Sequence, residues 1–378
     1  MQITGIICEY NPLHLGHKKQ LDHIRANDPE GGIVCLMSGN FVQRGHPAVF
    51  DKLTRAKAAL QSGADLVLEL PVNAALSSAE GFAQEGVGIL GGFCHKLCFG
   101  AETGDEAALT GLAKALLSPA FQTHLKAQLE TGCSFPAARQ RALESMGLDG
   151  KILESPNNIL AVEYCKAILA QNTAMKPWPI VREGSYHDTA PDPENPSATA
   201  IRELLLQNGN WRSYVPNADV WEGLQPHTLQ AGEKAVLGRL RTMSEAEFSA
   251  LPYGSEGLWR KFMHACRKES TLEDILTAVK SKRYTRTRLD RMVMCAFLGL
   301  TEQDLATTAP YTRVLALNEK GRQILKLARK SGEFINIGTS VDSPWQEVEA
   351  RATALYGLFA NEPEPPTAEA DYRVYYQE

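Results

Sequence analysis

The first hundred residues switch repeatedly between two hydrophobic periods. Ile3 to Cys8 is a short continuous apolar run, which predicts a strand buried on both faces. Gly16 to Asn27 places Leu21 and Ile24 on one side of a polar stretch, which predicts a helix. The alternation repeats: a strand over Ile33 to Met37, a helix over Leu53 to Gln61 closed by Gly63, and a strand over Asp65 to Leu70 stopped by Pro71. A helix over Ser77 to Leu90 and a strand over Lys96 to Phe99 follow. Strand–helix alternation with short loops implies parallel βαβ units, with ligands at the carboxyl ends of the strands.

From Asp105 to about Ala170 the pattern is helical only, with Pro156-Asn157-Asn158 opening a helix over Ile159 to Leu169. Pro179 to Arg182 predicts a fifth strand, a Pro-rich loop runs from Ser185 to Pro196, and a helix runs from Ser197 to Gln207. The fold expected is therefore α/β: a Rossmann-like parallel sheet over residues 1–215, with a helical insertion near 105–170. A mainly helical C-terminal region is expected over 216–378. Ser244 with Glu247 and Ser270 with Glu273 are capping-box pairs. Val314 to Leu317 and Phe334 to Ile337 read as short strands, and Glu362-Pro-Glu-Pro-Pro as a stiff linker before the aromatic tail Tyr372 to Tyr376.

Composition narrows the class. The 378 residues carry 39 basic and 44 acidic side chains, a formal charge of −5, which excludes coating of nucleic acid by bulk charge but leaves room for a local basic patch. The N-terminus has no basic segment followed by a long apolar run, and no stretch approaches a membrane span, so a cytoplasmic chain with no membrane contact is expected. The eight cysteines are scattered, several inside core-like runs, as in reduced, buried thiols. Cys94-His95-Lys96-Leu97-Cys98 lacks a second Cys/His pair to complete a tetrahedral zinc site and reads as a strand entering the core.

The chemistry lies where the first strand meets the first helix, in Glu9-Tyr10-Asn11-Pro12-Leu13-His14-Leu15-Gly16-His17. His14 and His17 are spaced to share one helical face, and the helix start supplies unpaired N–H groups and partial positive charge. Gly16 removes a side chain where a ligand would approach the backbone. This is an anion site with two imidazole donors, suited to a nucleoside triphosphate attacked at its α-phosphate. A second clamp opens the helix after the fifth strand, where Ser197 and Thr199 offer hydroxyls and Arg202 lies one turn on.

These two segments resemble the nucleotidyltransferase superfamily of class I aminoacyl-tRNA synthetases and pantetheine-phosphate adenylyltransferases. Position 198 departs from the second motif, being Ala where Ser is common. The resemblance sharpens with Met37-Ser-Gly-Asn-Phe-Val-Gln-Arg-Gly45, Asp65-Leu-Val-Leu-Glu-Leu-Pro71, Ser155-Pro-Asn-Asn-Ile-Leu160, Tyr186-His-Asp188 and Lys282-Arg-Tyr-Thr-Arg-Thr-Arg-Leu289. Together with the H-x-G-H segment these are similar to the bacterial tRNA(Met) cytidine acetate ligase family, over most of the chain. The resemblance implies activation of acetate by ATP to acetyl-adenylate and acetylation of N4 of the wobble cytidine of elongator tRNA(Met). It implies an ATP site comprising Ile7, Cys8, Glu9, Tyr10, Asn11, Pro12, Leu13, His14, Leu15, Gly16, His17, Lys18, Lys19 and Gln20. Gly100, one of Asn157 and Asn158, and Arg182 complete it, with Ser197 and Thr199 at the second clamp; His14, His17, Thr199 and Arg202 would be catalytic. Mg²⁺ is expected on the ATP phosphates, without a protein-held metal site.

Several residues read two ways. Arg44, between glycines after the second strand, either meets a phosphate or is an exposed loop side chain. Asp65 reads as a cap for the turn after Gly63, and Glu69 as a side chain facing the site. Gly100 would permit close approach to the adenosine. Lys280, Lys282, Arg283, Arg286, Arg288 and Arg291 gather around Tyr284 with one acid, Asp290, which predicts a tRNA contact in an otherwise acidic chain. The competing function is a metabolic adenylyltransferase making a dinucleotide-type product. That activity would leave the helical insertion, the C-terminal region and the basic run without a role. The residues do not fix the oligomeric state.

Overall fold

The computed structural model describes residues 1–182, 196–281 and 283–378. Its strands are β1 (Ile3–Cys8), β2 (Gly32–Ser38), β3 (Phe41–Val42), β4 (His46–Pro47), β5 (Leu66–Leu70), β6 (Lys96–Ala101), β7 (Lys176–Val181), β8 (Thr312–Leu317), β9 (Phe334–Asn336) and β10 (Tyr375–Tyr376). The main sheet has the order β10-β8-β5-β2-β1-β6-β7, with β9 also paired to β8, while β3 and β4 form a small hairpin. The five strands from β5 to β7 are parallel, and β8 runs antiparallel to β5. The chain winds outward from β1 in both directions, so the crevice beyond the carboxyl ends of β1 and β6 is the topological switch point.

Alternate residues of each strand feed cores on opposite faces. Ile3 and Ile7 of β1, Val34 and Leu36 of β2, and Leu66, Leu68 and Leu70 of β5 pack on one side. Ile6, Ile33, Cys35, Met37 and Val67 pack on the other. Burial on both faces explains the unbroken apolar runs. Gly5 lets the Ala79–Leu90 helix lie close: a Cβ there would sit 2.9 Å from Leu90 Cδ1.

β7 begins three residues before the expected strand, and its prolines account for the difference. Lys176 donates its N–H to the His95 carbonyl just before β6 and Arg182 to the Ala101 carbonyl at its end, so the intervening odd positions, Pro177 and Pro179, face the open edge. Proline is tolerated there because no ladder donor is needed.

The region beyond 215 is mainly helical, and it also returns β8, β9 and β10 to the same sheet. Its helices, including Glu233–Thr242, Leu258–Lys268, Leu272–Val279 and Arg286–Leu298, share a separate core that Phe41 and Leu76 join from the α/β part. The Ser244–Glu247 capping box is present. The Ser270–Glu273 pairing is not; Thr271 caps the next helix instead, accepting from the Asp274 N–H at 3.1 Å. No helix among the described residues is long and apolar enough to cross a membrane.

Candidate active site

β1 ends at Cys8, and the chain crosses the sheet edge before the Leu15–Asn27 helix starts. His14 is the N-cap of that helix, one position earlier than the pattern of apolar residues suggested. Its Nδ1 accepts from the Gly16 N–H at 3.1 Å, and His17 Nδ1 accepts from the His14 N–H at 3.3 Å. The two histidines thus replace the usual Ser and Glu of a capping box. Their rings do not simply share an outward face; they stack, with centroids 3.7 Å apart and planes 26° from parallel.

This reciprocal cap fixes the chemistry. A nitrogen that accepts from a backbone N–H carries no proton, so each neutral imidazole bears its hydrogen on Nε2. The charged forms are disfavoured as well. Burial, then the charges of Arg182 and Arg202, lower the His14 pKa from 6.5 to about 3. Burial, then His14 and Arg182, hold His17 well below its ordinary value. The pair is two neutral N–H donors at a helix N-terminus.

Guanidinium groups supply the positive charge. Arg202, one turn into the Ala198–Leu206 helix, donates to the Asn11 carbonyl at 2.7 Å and to Thr199 Oγ1 at 3.1 Å. The second clamp is thereby tied to the H-x-G-H loop. Ser197 caps the same helix, accepting from the Ala200 N–H at 3.1 Å. Arg182, just past β7, donates to Asn157 Oδ1 at 3.0 Å. Burial lowers the pKa of both arginines, opposed by Glu102 beside Arg182 and by Glu9 beside Arg202. The exposed Arg44 also lies close enough for its charge to act on Arg202.

The glycine and the paired asparagines have separate roles. A Cβ on Gly100 would lie 2.8 Å from Arg182 Cγ and 2.9 Å from its Cδ, so here the glycine makes room for the arginine stem. Asn158 is buried, and its Oδ1 accepts from the N–H groups of Glu102 and Thr103 at 2.9 and 3.1 Å; it shapes the loop after β6. Asn157 is the partner of Arg182, and its Nδ2 donates to Glu102 at 2.7 Å.

Not every residue of the expected set turns toward this site. The side chains of Ile7, Tyr10 and Leu13 lie in the core. Asn11 Oδ1 accepts from the Val49 N–H and Glu9 Oε1 from the Gln43 N–H, both at 2.7 Å, which bracket the loop. Gln20 reaches the Cys98 carbonyl at 3.4 Å, and Lys18 pairs with Asp22. Cys8, Pro12, Leu15, Gly16 and Lys19 follow the same backbone path.

Asp65 does more than cap a turn: its carboxylate accepts from the Ile33 N–H at 2.8 Å, Arg25 at 2.7 Å and Asn318 at 3.1 Å. Glu69 faces a different centre, gripping the buried Lys52 at 2.9 Å together with Glu369 at 2.8 Å. His95 Nδ1 accepts from the Ile3 N–H at 3.0 Å, and burial pushes the Cys98 thiol up to about 12. Tyr186, His187 and Asp188 fall outside the described residues, as does Lys282.

One organiser escaped motif reading. Arg55 is fully buried and donates to the carbonyls of Glu9, Ser38, Gly39 and Phe50, joining the loops after β1 and β2. Its signal is an arginine one position before the buried alanines of the Lys52–Gln61 helix, on a helix that also buries Lys52.

The basic run is largely committed within the protein. Arg286 forks onto Glu273 at 2.8 Å through each nitrogen and reaches Asp290 at 2.8 Å. Arg283 pairs with Glu256 at 2.6 Å. Arg288 donates to the Tyr253 carbonyl at 2.7 Å and lies over the Tyr284 ring at 5.2 Å, while Arg291 lies over the Tyr253 ring at 5.0 Å. Besides Asp290 within the run, the acids that pair with Arg283 and Arg286 come from other elements, which a local charge count misses. The β3–β4 hairpin connects the run to the active site: Gln43 touches Glu9, and a Cβ on Gly45 would sit 2.4 Å from the Arg291 nitrogen.

The HIGH Nucleotidyl Transferase family model matches residues 1–371. The tRNA(Met) cytidine acetate ligase of Clostridium novyi (strain NT) is 38% identical over 356 residues, covering 88% of this chain and 89% of that protein. The chain belongs to the tRNA(Met) cytidine acetate ligase family of HIGH nucleotidyl transferases. The Clostridium perfringens (strain SM101 / Type A) ligase is 36% identical over 95% of both chains. The crystal structure of apo Thermotoga maritima TmcAL superposes with a TM-score of 0.90 at 31% identity, covering 100% of this chain and 99% of that one. The form bound with alpha-thio ATP gives 0.87 at 30% identity and the same coverage.

Proposed function

We propose that this protein is an ATP-dependent, AMP-forming ligase that acetylates N4 of the wobble cytidine of elongator tRNA(Met). The observation that carries the reading is the reciprocal His14–His17 cap, which leaves two neutral Nε2–H donors at a helix start. A carboxylate cannot acylate an amine directly, because it would have to expel oxide. An acetate oxygen attacks the α-phosphorus, the bond to the β-phosphate oxygen breaks, and pyrophosphate departs with that electron pair. His14 and His17 stabilise charge on the phosphate oxygens in that transition state, and Arg182, Arg202 and Thr199 hold the triphosphate. The cytidine amine then attacks the acetyl carbon, loses a proton and expels AMP. Splaying the base beside the acyl carbon supplies much of the second barrier's reduction. The alpha-thio ATP complex of the Thermotoga maritima relative supports the nucleotide assignment.

Residues 1–215 form the activating unit and 216–378 hold the RNA in this reading, in the cytoplasm. Mg²⁺ in this reading travels on the ATP phosphates. The test supplies labelled acetate, ATP and tRNA. Label should enter tRNA only with ATP present, with AMP accumulating rather than ADP. Label entering from acetyl-CoA without ATP would overturn the reading.

A further inference from the structure

We propose that the exposed stripe of the Leu258–Lys268 helix is the surface that grips the phosphate backbone of the tRNA; this rests on the ligase reading above. The helix buries Leu258, Phe262, Ala265 and Cys266. Its solvent side carries Arg260, Lys261, His264, Arg267 and Lys268, all exposed. These positions follow one another at helical spacing, so they form one continuous face. No acid lies within the helix.

The stripe extends at both ends. Arg241 donates to the Ser270 carbonyl at 3.3 Å, bringing another cation beside Lys268. Lys261 Nζ donates to the Val279 carbonyl at 3.0 Å, next to the exposed Lys280. From Arg260 to Lys268 the rise is about 12 Å, which matches three to four base steps at about 3.4 Å each.

A merely solvated face would carry interleaved charges. Some helical cations elsewhere on this protein have an acidic partner on the same helix, as in Lys18–Asp22 and Arg322–Glu319. Arg283 and Arg286 of the neighbouring run are held by Glu256 and Glu273. Along the stripe the sole ion pair among the described residues is Lys268–Glu269, at 4.0 Å. An uncompensated row of cations on a chain of formal charge −5 suits a polyanion.

The test combines Arg260→Gln, Lys261→Gln, Arg267→Gln and Lys268→Gln in the full chain, with unfractionated tRNA as the probe over a range of KCl. Melting temperature, with and without ATP, verifies that the fold and nucleotide site persist, since the buried face is untouched. Each phosphate contact contributes somewhat under one unit to the log–log salt slope, so the slope should become shallower by about three. Affinity at 100 mM KCl should fall at least tenfold. A companion Arg283→Gln/Arg288→Gln variant should leave the slope nearly unchanged. If the wild-type protein binds tRNA and the quadruple variant matches its affinity and slope, the stripe is not the RNA surface, although the ligase reading stands. If the companion variant flattens the slope more than the quadruple one, the proposal is equally overturned. Failure of the wild-type protein to bind tRNA would remove both.

Discussion

The H-x-G-H turn and the basic segment 280–291 both sit at the start of a helix, and both concentrate reactive side chains, yet their groups are committed in opposite ways. At the turn, each imidazole spends its Nδ1 on a backbone N–H two or three residues away, and the complementary Nε2–H is thereby assigned. In the basic segment, Arg286 spends its fork on Glu273, 13 residues upstream, and Arg288 bonds to Tyr253, 35 residues upstream. Local bonding at the first site prepares a group for a ligand. Long-range bonding at the second makes the charged groups part of the scaffold, so a high density of like charge is a poor guide to where an anion binds.

The largest expected effect lies at the turn. His17→Ala should lower adenylate formation about 10²–10³-fold, as for a lost oxyanion donor. His14→Asn should lose a comparable factor while keeping a capping side chain, which a purely structural role for His14 would not produce. Pyrophosphate exchange measured on folded protein checks both.

Arg55→Met comes next. It leaves four carbonyl partners without their donor. Each buried orphan costs about 1–3 kcal/mol, so chemical unfolding should show a loss of several kcal/mol. A smaller loss, below about 1 kcal/mol, would mean that the loops after β1 and β2 do not depend on it.

Gly100→Ala sharpens the distinction between positioning and stability. The added methyl must displace the Arg182 stem, so KM for ATP should rise several-fold with little change in melting temperature. Arg286→Gln should behave inversely: it strands the buried Asp290 and lowers stability by about 1 kcal/mol or more, while tRNA affinity changes little. A large loss of RNA affinity from Arg286→Gln would erase the contrast between the two regions.

The smallest effect is the pH dependence of stability. The folded His14 pKa is about 3 and its ordinary value 6.5, so the unfolded chain binds the extra proton first as pH falls. The contribution is present above pH 6.5 and diminishes as pH falls toward 3. Unfolding free energies should therefore decline less steeply with acid in His14→Asn than in the wild-type protein. Equal slopes would show that His14 titrates in the fold as it does in the unfolded chain.

What was legible in the chain follows from distance along it. The parallel core was readable because strands buried on both faces are unbroken apolar runs, and the H-x-G-H site because cap, glycine and histidines lie within four residues. The start of β7 was set three residues late because the edge-facing Pro177 concealed its first half. The return of β8 and β10 to the sheet, the role of Arg55, and the neutralisation of the basic run by Glu256 and Glu273 all depend on partners brought near by folding. The same is true of Gly100, whose open side is filled by Arg182 rather than left clear for a ligand.

If the two neutral imidazoles at this helix start stabilise the transition state of acetate activation on ATP, both must be present for that step to run at full rate. Acetate-dependent exchange of labelled pyrophosphate into ATP, compared among the wild type, His17→Ala and His14→Asn, tests it most directly. Robust exchange in the wild type, with a loss of about 10²–10³-fold in each variant, is the predicted result. Exchange that ignores acetate, or that proceeds unchanged in the two variants, would contradict it.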